Sequence, residues 1–446
     1  MIRKEILRWE SLREYGSGAL WLLPFMAANV AIVVGYLVSR VHAPRGSVLA
    51  VLAFQGTADD ARTALLAIAG TVVTVIALVL GLSVVALQLS STQFSPRLLR
   101  NFLRDRPNQL FLSIFMATFA YSAAGLYTVG VSAGGGRKDY PRVAVSGAIG
   151  LLFLTLAVVV VFADHLSHSI QIDAIMRRVE RETLAVIRSA AHDIEDAAPK
   201  PPHWAIPVRA RQSGYVQAAH PEALLPIAAR LGVVVRLRRR VGEHVTAGSI
   251  IGWVWCRAEA DPTPDRDQFE RAIADAVLIG FERTRQQDVA IGIRQLVDVA
   301  SKALSPAVND PYTAVQAIDH LAVIFSEMGR QRLGTRVARS ADGHVAVIVP
   351  SRRFGEYLAT MCGLIRRYSS AEPTVALALL HLLDDAHQAV ADAHQGLADG
   401  PERVDDIAEQ ARLILADAER AIVQAADLVD VHDAAYALLQ NLQTPR

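Results

Sequence analysis

"ALLAIAGTVVTVIALVLGLSVVALQL", residues 64–89, runs for 26 positions without a single Asp, Glu, Lys or Arg. A helix needs about 20 apolar residues to cross about 30 Å of hydrocarbon, so this stretch predicts a membrane span. Three more apolar segments flank it, near 19–38, 110–131 and 143–163. The chain of 446 residues is 52% hydrophobic, and that excess is concentrated in its first 166 residues. The first segment follows Arg3, Lys4, Arg8 and Arg13. It resembles a signal-peptide flank, but acids are interspersed and no clear small-residue cleavage site follows, so it reads as an uncleaved helix.

Lys and Arg placement sets the expected orientation. The N-terminal flank, the loop with Arg97, Arg100, Arg104 and Arg106, and the segment with Arg177, Arg178 and Arg181 are the more basic sides. The loops with Arg40, Arg45 and Arg62, and with Arg137, Lys138 and Arg142, carry fewer. Both termini are expected in the cytoplasm. Net charge is only +1, from 45 basic and 44 acidic residues, so bulk charge indicates no polyanionic partner. Two cysteines, Cys256 and Cys362, argue against a disulfide framework and a cysteine-based zinc site.

The expected fold class is a membrane protein with four transmembrane α-helices followed by a cytosolic α+β region, a small β-barrel-sandwich-like module plus a helical bundle. The expected boundaries are a transmembrane domain over 1–168, a helical extension and linker over 169–204, the β module over 205–260, and a mainly α-helical domain over 261–446. The helical extension is predicted to prolong the fourth span and to end at the prolines of "APKPPHWAIP". The module's runs "SGYVQ", "GVVVRLRR" and "SIIGWVWC" resemble a biotinyl or lipoyl domain, but no lysine lies between Lys200 and Lys302 to carry such a group. Asp342-Gly343 predicts a hairpin near 335–350. "RLRRR", Arg236–Arg240, reads as a solvated strand edge, with too few interleaved aromatics for a nucleic-acid groove.

"SPAVNDPYTAVQAIDHL", 305–321, interrupts helical periodicity with Pro306 and Pro311. Ser305 and Asp310 can each cap a helix that has proline at its first position, which predicts two helix starts in succession. Two readings stand: a structural turn, or a ligand or subunit contact formed by Ser305, Asn309, Asp310 and Thr313. Several stretches carry a family resemblance: "GLSVVALQLSSTQFSPRLLRNFLRDRPNQLFLSIFMATFAY", "FADHLSHSIQID", "FERTRQQDVAIGIRQLVDVASKALSPAVNDPYTAVQAIDHL" and "YSSAEPTVALALLHLLDD". Through them the chain resembles the bacterial integral-membrane family known as domain of unknown function 2254, over about residues 10 to 430. Family members often show paired histidines where this chain has Asp164 before His165. The resemblance implies the membrane topology and residence in a bacterial inner membrane, and brings no established reaction.

The candidate chemistry is sparse. Thr71, Thr74, Gly81, Gln88, Ser91, Thr92 and Ser95, with Gly70 and Ala77, recur at three- and four-residue steps. Such a stripe permits close helix packing, or lines a wet path when several subunits bring it together. Asp164, His165 and His168 close the fourth span at a spacing open to pH sensing, metal binding or ordinary interfacial capping. The dense charges Glu282, Arg283, Arg285, Gln287, Asp288 and Asp298 read as a packing network. Phosphate-loop, dinucleotide, zinc-protease and serine-hydrolase motifs are lacking, so no enzyme activity, cofactor or metal is expected. The expected function is a homo-oligomeric channel or transporter for a small ion, its partners being the lipid bilayer and further copies of itself, with no nucleic acid. The alternative is a membrane-anchored sensor or scaffold that binds a ligand or protein and conducts nothing.

Overall fold

The computed structural model describes residues 21–41, 51–93, 106–134, 140–169, 171–189, 194–195, 198–258, 265–393, 397 and 399–443. Two compact units divide at Ala174 and Ile175. The first contains α1 (Leu22–Val38), α2 (Ala58–Gln93), α3 (Arg106–Gly134) and α4 (Arg142–Ser169). Three of them, α2, α3 and α4, are long and apolar enough to cross a membrane. The four-span expectation is therefore met by three helices. Helix α1 is apolar but has 17 residues, about 26 Å at 1.5 Å per residue, at the lower limit for a span.

Helix α2 begins earlier than its apolar run because Thr57 and Asp60 cap it reciprocally. The Thr57 amide donates to Asp60 Oδ2 at 2.8 Å, and the Asp60 amide donates to Thr57 Oγ1 at 3.2 Å. Ala61, Leu65, Ile68, Val72, Val79 and Ala86 of α2 are buried with Phe115 and Tyr121 of α3 and Ala148 of α4. Tyr121 lies between two glycines. A Cβ on Gly35 of α1 would stand 3.4 Å from its ring, and one on Gly147 of α4 would stand 2.5 Å from its hydroxyl. Small residues here allow the backbones to come close, the usual device where lipid supplies no hydrophobic drive between helices. Across α3 and α4 the buried hydroxyls of Thr118 and Thr155 meet at 3.0 Å.

Most of α5 (Ile172–Ser189) lies in the second unit, and it is a separate helix rather than a prolongation of α4. The unit continues with β1 (Ile194–Glu195), β2 (Ile206–Arg209), β3 (Gly214–Ala219), α6 (Pro221–Leu231), β4 (Val233–Leu237), β5 (His244–Val245) and β6 (Ile250–Cys256). Next come α7 (Arg266–Ala276), β7 (Val277–Gly280), α8 (Val289–Ala303), α9 (Pro311–Arg330), β8 (Thr335–Arg339) and β9 (Val345–Val349). The last four helices are α10 (Phe354–Tyr368), α11 (Pro373–Asp392), α12 (Gly400–Ala421) and α13 (Ala425–Gln443).

The strands form a six-stranded sheet, β1-β8-β9-β4-β6-β2, and a three-stranded sheet, β5-β3-β7. The 335–350 hairpin turns at Asp342-Gly343, where Gly343 has φ +82°. It is not isolated from the β module: β9 pairs in parallel with β4, Val235 opposite Val347. Strand β4 is thus interior, which corrects the edge reading for Arg236 and Leu237, while residues 238–240 follow the strand and Arg238 is exposed. Arg236 is accommodated in the strand, and Arg238 and Arg240 beside it, because each finds a partner. Arg236 donates to the carbonyl of Ala198 at 3.3 Å, Arg238 lies over the Trp253 ring, and Arg240 meets Glu356 at 2.6 Å. Helix α11 is buried along much of its circumference, through Val375, Leu379, Leu380, Leu383, Ala386 and Val390. It is the central helix of the bundle, packed on α9, α12 and α13.

Candidate functional site

The buried residues of α2 recur at three-, four- and seven-residue steps, which places them on one side of the helix. At about 100° per residue, Gly70, Thr74, Ala77, Gly81 and Gln88 fall within roughly 40° of the opposite side. Thr71, expected in the same stripe, lies about a quarter turn from it, on the flank. All these residues are exposed from their own unit. A Cβ added at Gly70 or Gly81 would meet nothing within 4 Å. Leu66, Val73, Leu78, Leu80, Val84 and Val85 are exposed on either side of the stripe. The result is a shallow trough of small and polar residues between apolar ridges.

The hydroxyls of Thr74 in the trough and Thr71 on its flank are already satisfied. Thr71 donates to the Ala67 carbonyl at 2.8 Å and Thr74 to the Gly70 carbonyl at 3.0 Å. These one-turn bonds remove the cost of a bare hydroxyl in hydrocarbon, so the threonines tolerate lipid, a neighbouring helix or water. Gln88 presents an exposed amide at the end of the apolar run. Ser91 and Thr92 lie on the helical backbone, their side chains outside the described residues, as is the whole of Ser95.

Asp164 and His168 come together, but His165 does not join them. His168 Nδ1 lies 2.9 Å from the Asp164 carbonyl oxygen and 3.5 Å from its carboxylate. The His165 ring instead packs edge-on against Phe111, at 5.8 Å. Among the described residues no group of three or more His, Cys, Asp or Glu side chains is placed to hold a metal ion.

In the 305–313 turn, the structure has one helix start where two were expected. Residues 304–310 are turn and coil, and Ser305 donates back to the Lys302 carbonyl at 2.6 Å instead of capping a helix. Asn309 takes the left-handed conformation, φ 51°. Asp310 caps α9, accepting from the Thr313 amide at 3.1 Å and from its hydroxyl at 2.6 Å. Those two bonds hold its carboxyl below the ordinary aspartate range. The carboxylate thereby occupies the place at the helix N-terminus where an anion would sit.

The charged loop before α8 and the less buried side of α8 carry ion pairs. Arg283 meets Asp288 at 2.7 Å, Arg294 meets Asp298 at 3.2 Å, and Arg285 contacts Glu182 of α5. Burial, and secondarily Arg178, lowers the Arg285 guanidinium to about 10. Thr118, Thr155 and the fully buried Arg403 were not singled out by the sequence reading. Each lies in a locally unremarkable helical stretch and finds its partners in a different element.

No solved structure matches the chain. It is 39% identical over 444 residues to an uncharacterized protein of Mycobacterium tuberculosis and to one of Mycobacterium bovis, alignments that take in 98% of this chain and 83% of each relative. The family model described as "Predicted membrane protein (DUF2254)" matches residues 17–385. With its long apolar helices and a matched region that extends through most of the second unit, the chain belongs to this family of predicted membrane proteins.

Proposed function

We propose that the protein is the subunit of a homo-oligomeric channel or transporter for a small ion in a bacterial inner membrane. In this reading α1 serves as a fourth span, α2 lines the path, both termini are cytoplasmic, and the second unit assembles and gates the oligomer. The observation that supports it most is the trough of α2, which turns away from the helices of its own unit. Small residues flanked by apolar ridges suit close approach by another copy, and Thr74 and Gln88 would then face a shared axis. The alternative, a membrane-anchored sensor or scaffold that conducts nothing, draws support from the threonine hydroxyls, which are bonded to their own backbone and require no water.

Ion flux into liposomes holding the purified full-length protein separates the two. Conduction is expected, with flux falling on Thr74→Leu and Gln88→Leu, which fill the trough. A stable oligomer that passes no ion at any pH or voltage would favour the scaffold. Flux unchanged in both variants would remove α2 from the path.

A further inference from the structure

The second unit encloses a cavity of about 340 Å³, within the range of small-molecule sites. Its lining combines apolar side chains, Ile187, Ile194 and Val349 among them, with charged and amide ones that include the carboxylates Glu222 and Asp288. Two of its other arginines have partners: Arg240 meets Glu356 at 2.6 Å, and Arg332 is engaged by a contact of its own. Its buried carboxylate, Asp288, is matched by Arg283 at 2.7 Å.

Arg336 and Arg352 remain. Among the described residues neither has a carboxylate within ion-pair distance. Arg336 donates to the Ala219 carbonyl at 3.2 Å and to Gln287 Oε1 at 3.5 Å, both neutral acceptors, with Glu222 acting on it only at longer range. Burial holds its pKa below the ordinary arginine value. The Arg352 guanidinium lies over the Tyr357 ring, 5.9 Å from its centroid, and acts on the Asp288 and Glu356 carboxylates only at longer range. Two partly desolvated cations lining one cavity are costly unless an anion meets them. A monocarboxylate would leave one of them unmatched, whereas a phosphate monoester carries close to two negative charges and several acceptor oxygens. The apolar side chains give the organic portion a place to lie.

We propose that this cavity binds a small soluble organic phosphate, its phosphoryl group held by Arg336 and Arg352. The site is independent of whether the membrane helices conduct, and applies equally to a channel and to a scaffold.

The test is equilibrium titration of the full-length, detergent-solubilised protein with adenosine 5′-monophosphate, pyrophosphate and, as the uncharged control, adenosine. Saturable binding of at least one phosphate probe with Kd at or below about 1 mM is expected, together with a ligand-dependent rise in thermal unfolding temperature. Arg352→Gln, which keeps a polar side chain and breaks no ion pair among the described residues, should weaken binding roughly ten- to a hundredfold in a protein that still unfolds cooperatively without ligand. Arg336→Gln should weaken it similarly, and Arg257→Gln, on the exposed Asp342 pair elsewhere, should not. Absence of binding by both phosphate probes, equal binding of adenosine, or full affinity in Arg352→Gln would overturn the proposal. Binding only to vesicles of phosphatidic acid would do so as well.

Discussion

Replacing Arg403 by methionine should unfold the second unit more readily than any surface change nearby. Arg403, on the first turn of α12, is 1% exposed. Its guanidinium donates to Asp399 Oδ2 at 2.8 Å and to three carbonyls at the end of α9: Met328 at 3.0 Å, Gly329 at 3.2 Å and Gln331 at 3.0 Å. It also lies over the Phe354 ring, 5.3 Å from the centroid. The last carbonyls of a helix have no partner within it, and here one cation satisfies them and faces the negative end of the helix dipole. Methionine fills similar volume but donates nothing. Each buried carbonyl left bare costs about 1–3 kcal/mol. Gln331 and Asp399 are only partly buried and regain some hydration, so the sum should lie toward the lower end, about 3–5 kcal/mol, in line with breaking a buried charged network. For a unit of this size that corresponds to a fall of about 6–20 °C in Tm, measurable by thermal unfolding of the full-length protein in detergent. Arg353→Gln, which removes an exposed pair with Glu402, is the control and should cost less than about 1 kcal/mol. A loss in Arg403→Met as small as in that control would refute the assignment of Arg403 as the cap of α9.

Two further outcomes follow from the same geometry. Gly147→Leu should destabilise the membrane unit by about 1–3 kcal/mol through overpacking against Tyr121, whereas Gly150→Leu, whose Cβ would meet nothing within 4 Å, should be tolerated; denaturation in detergent compares the pair. Burial raises the Asp288 carboxyl above the ordinary aspartate value despite Arg283, so the folded protein keeps that proton to higher pH than the unfolded chain. Stability should therefore fall as pH rises from the ordinary value to the raised one and then level off. Asp288→Asn should abolish that segment of slope, with a pH-independent loss from stranding Arg283, and unfolding midpoints across acidic pH would show it.

The membrane unit was legible because its signals are local. Runs such as 64–89 lack charge, and a helix in lipid must satisfy its own backbone, so composition over about 20 residues is enough to read a span. Which side of α2 packs inward was also latent in the sequence: Ala61, Leu65, Ile68, Val72, Val79 and Ala86 recur at helical steps opposite the small-residue stripe. Thr71 falls off the stripe because a step of three and a step of four residues turn the helix face in opposite senses. Length and composition mark three of the four expected spans, and α1, with 17 residues, falls at the lower limit.

The second unit divides differently between sequence and structure. Its helices, the Asp342-Gly343 turn and the Asp310 cap depend on residues within a few positions of each other, and the sequence by itself determined them. The parallel pairing of β4 with β9, the interior-strand position of Arg236, the capping of α9 by Arg403, and the placing of Arg336 and Arg352 at one cavity were decided only by tertiary structure. These residues are separated along the chain by other elements, and no local periodicity records which distant backbone or charge each will meet. Burial changes what an arginine does, because a guanidinium removed from water must be matched by carbonyls, a carboxylate or a ligand, and only the folded chain shows which.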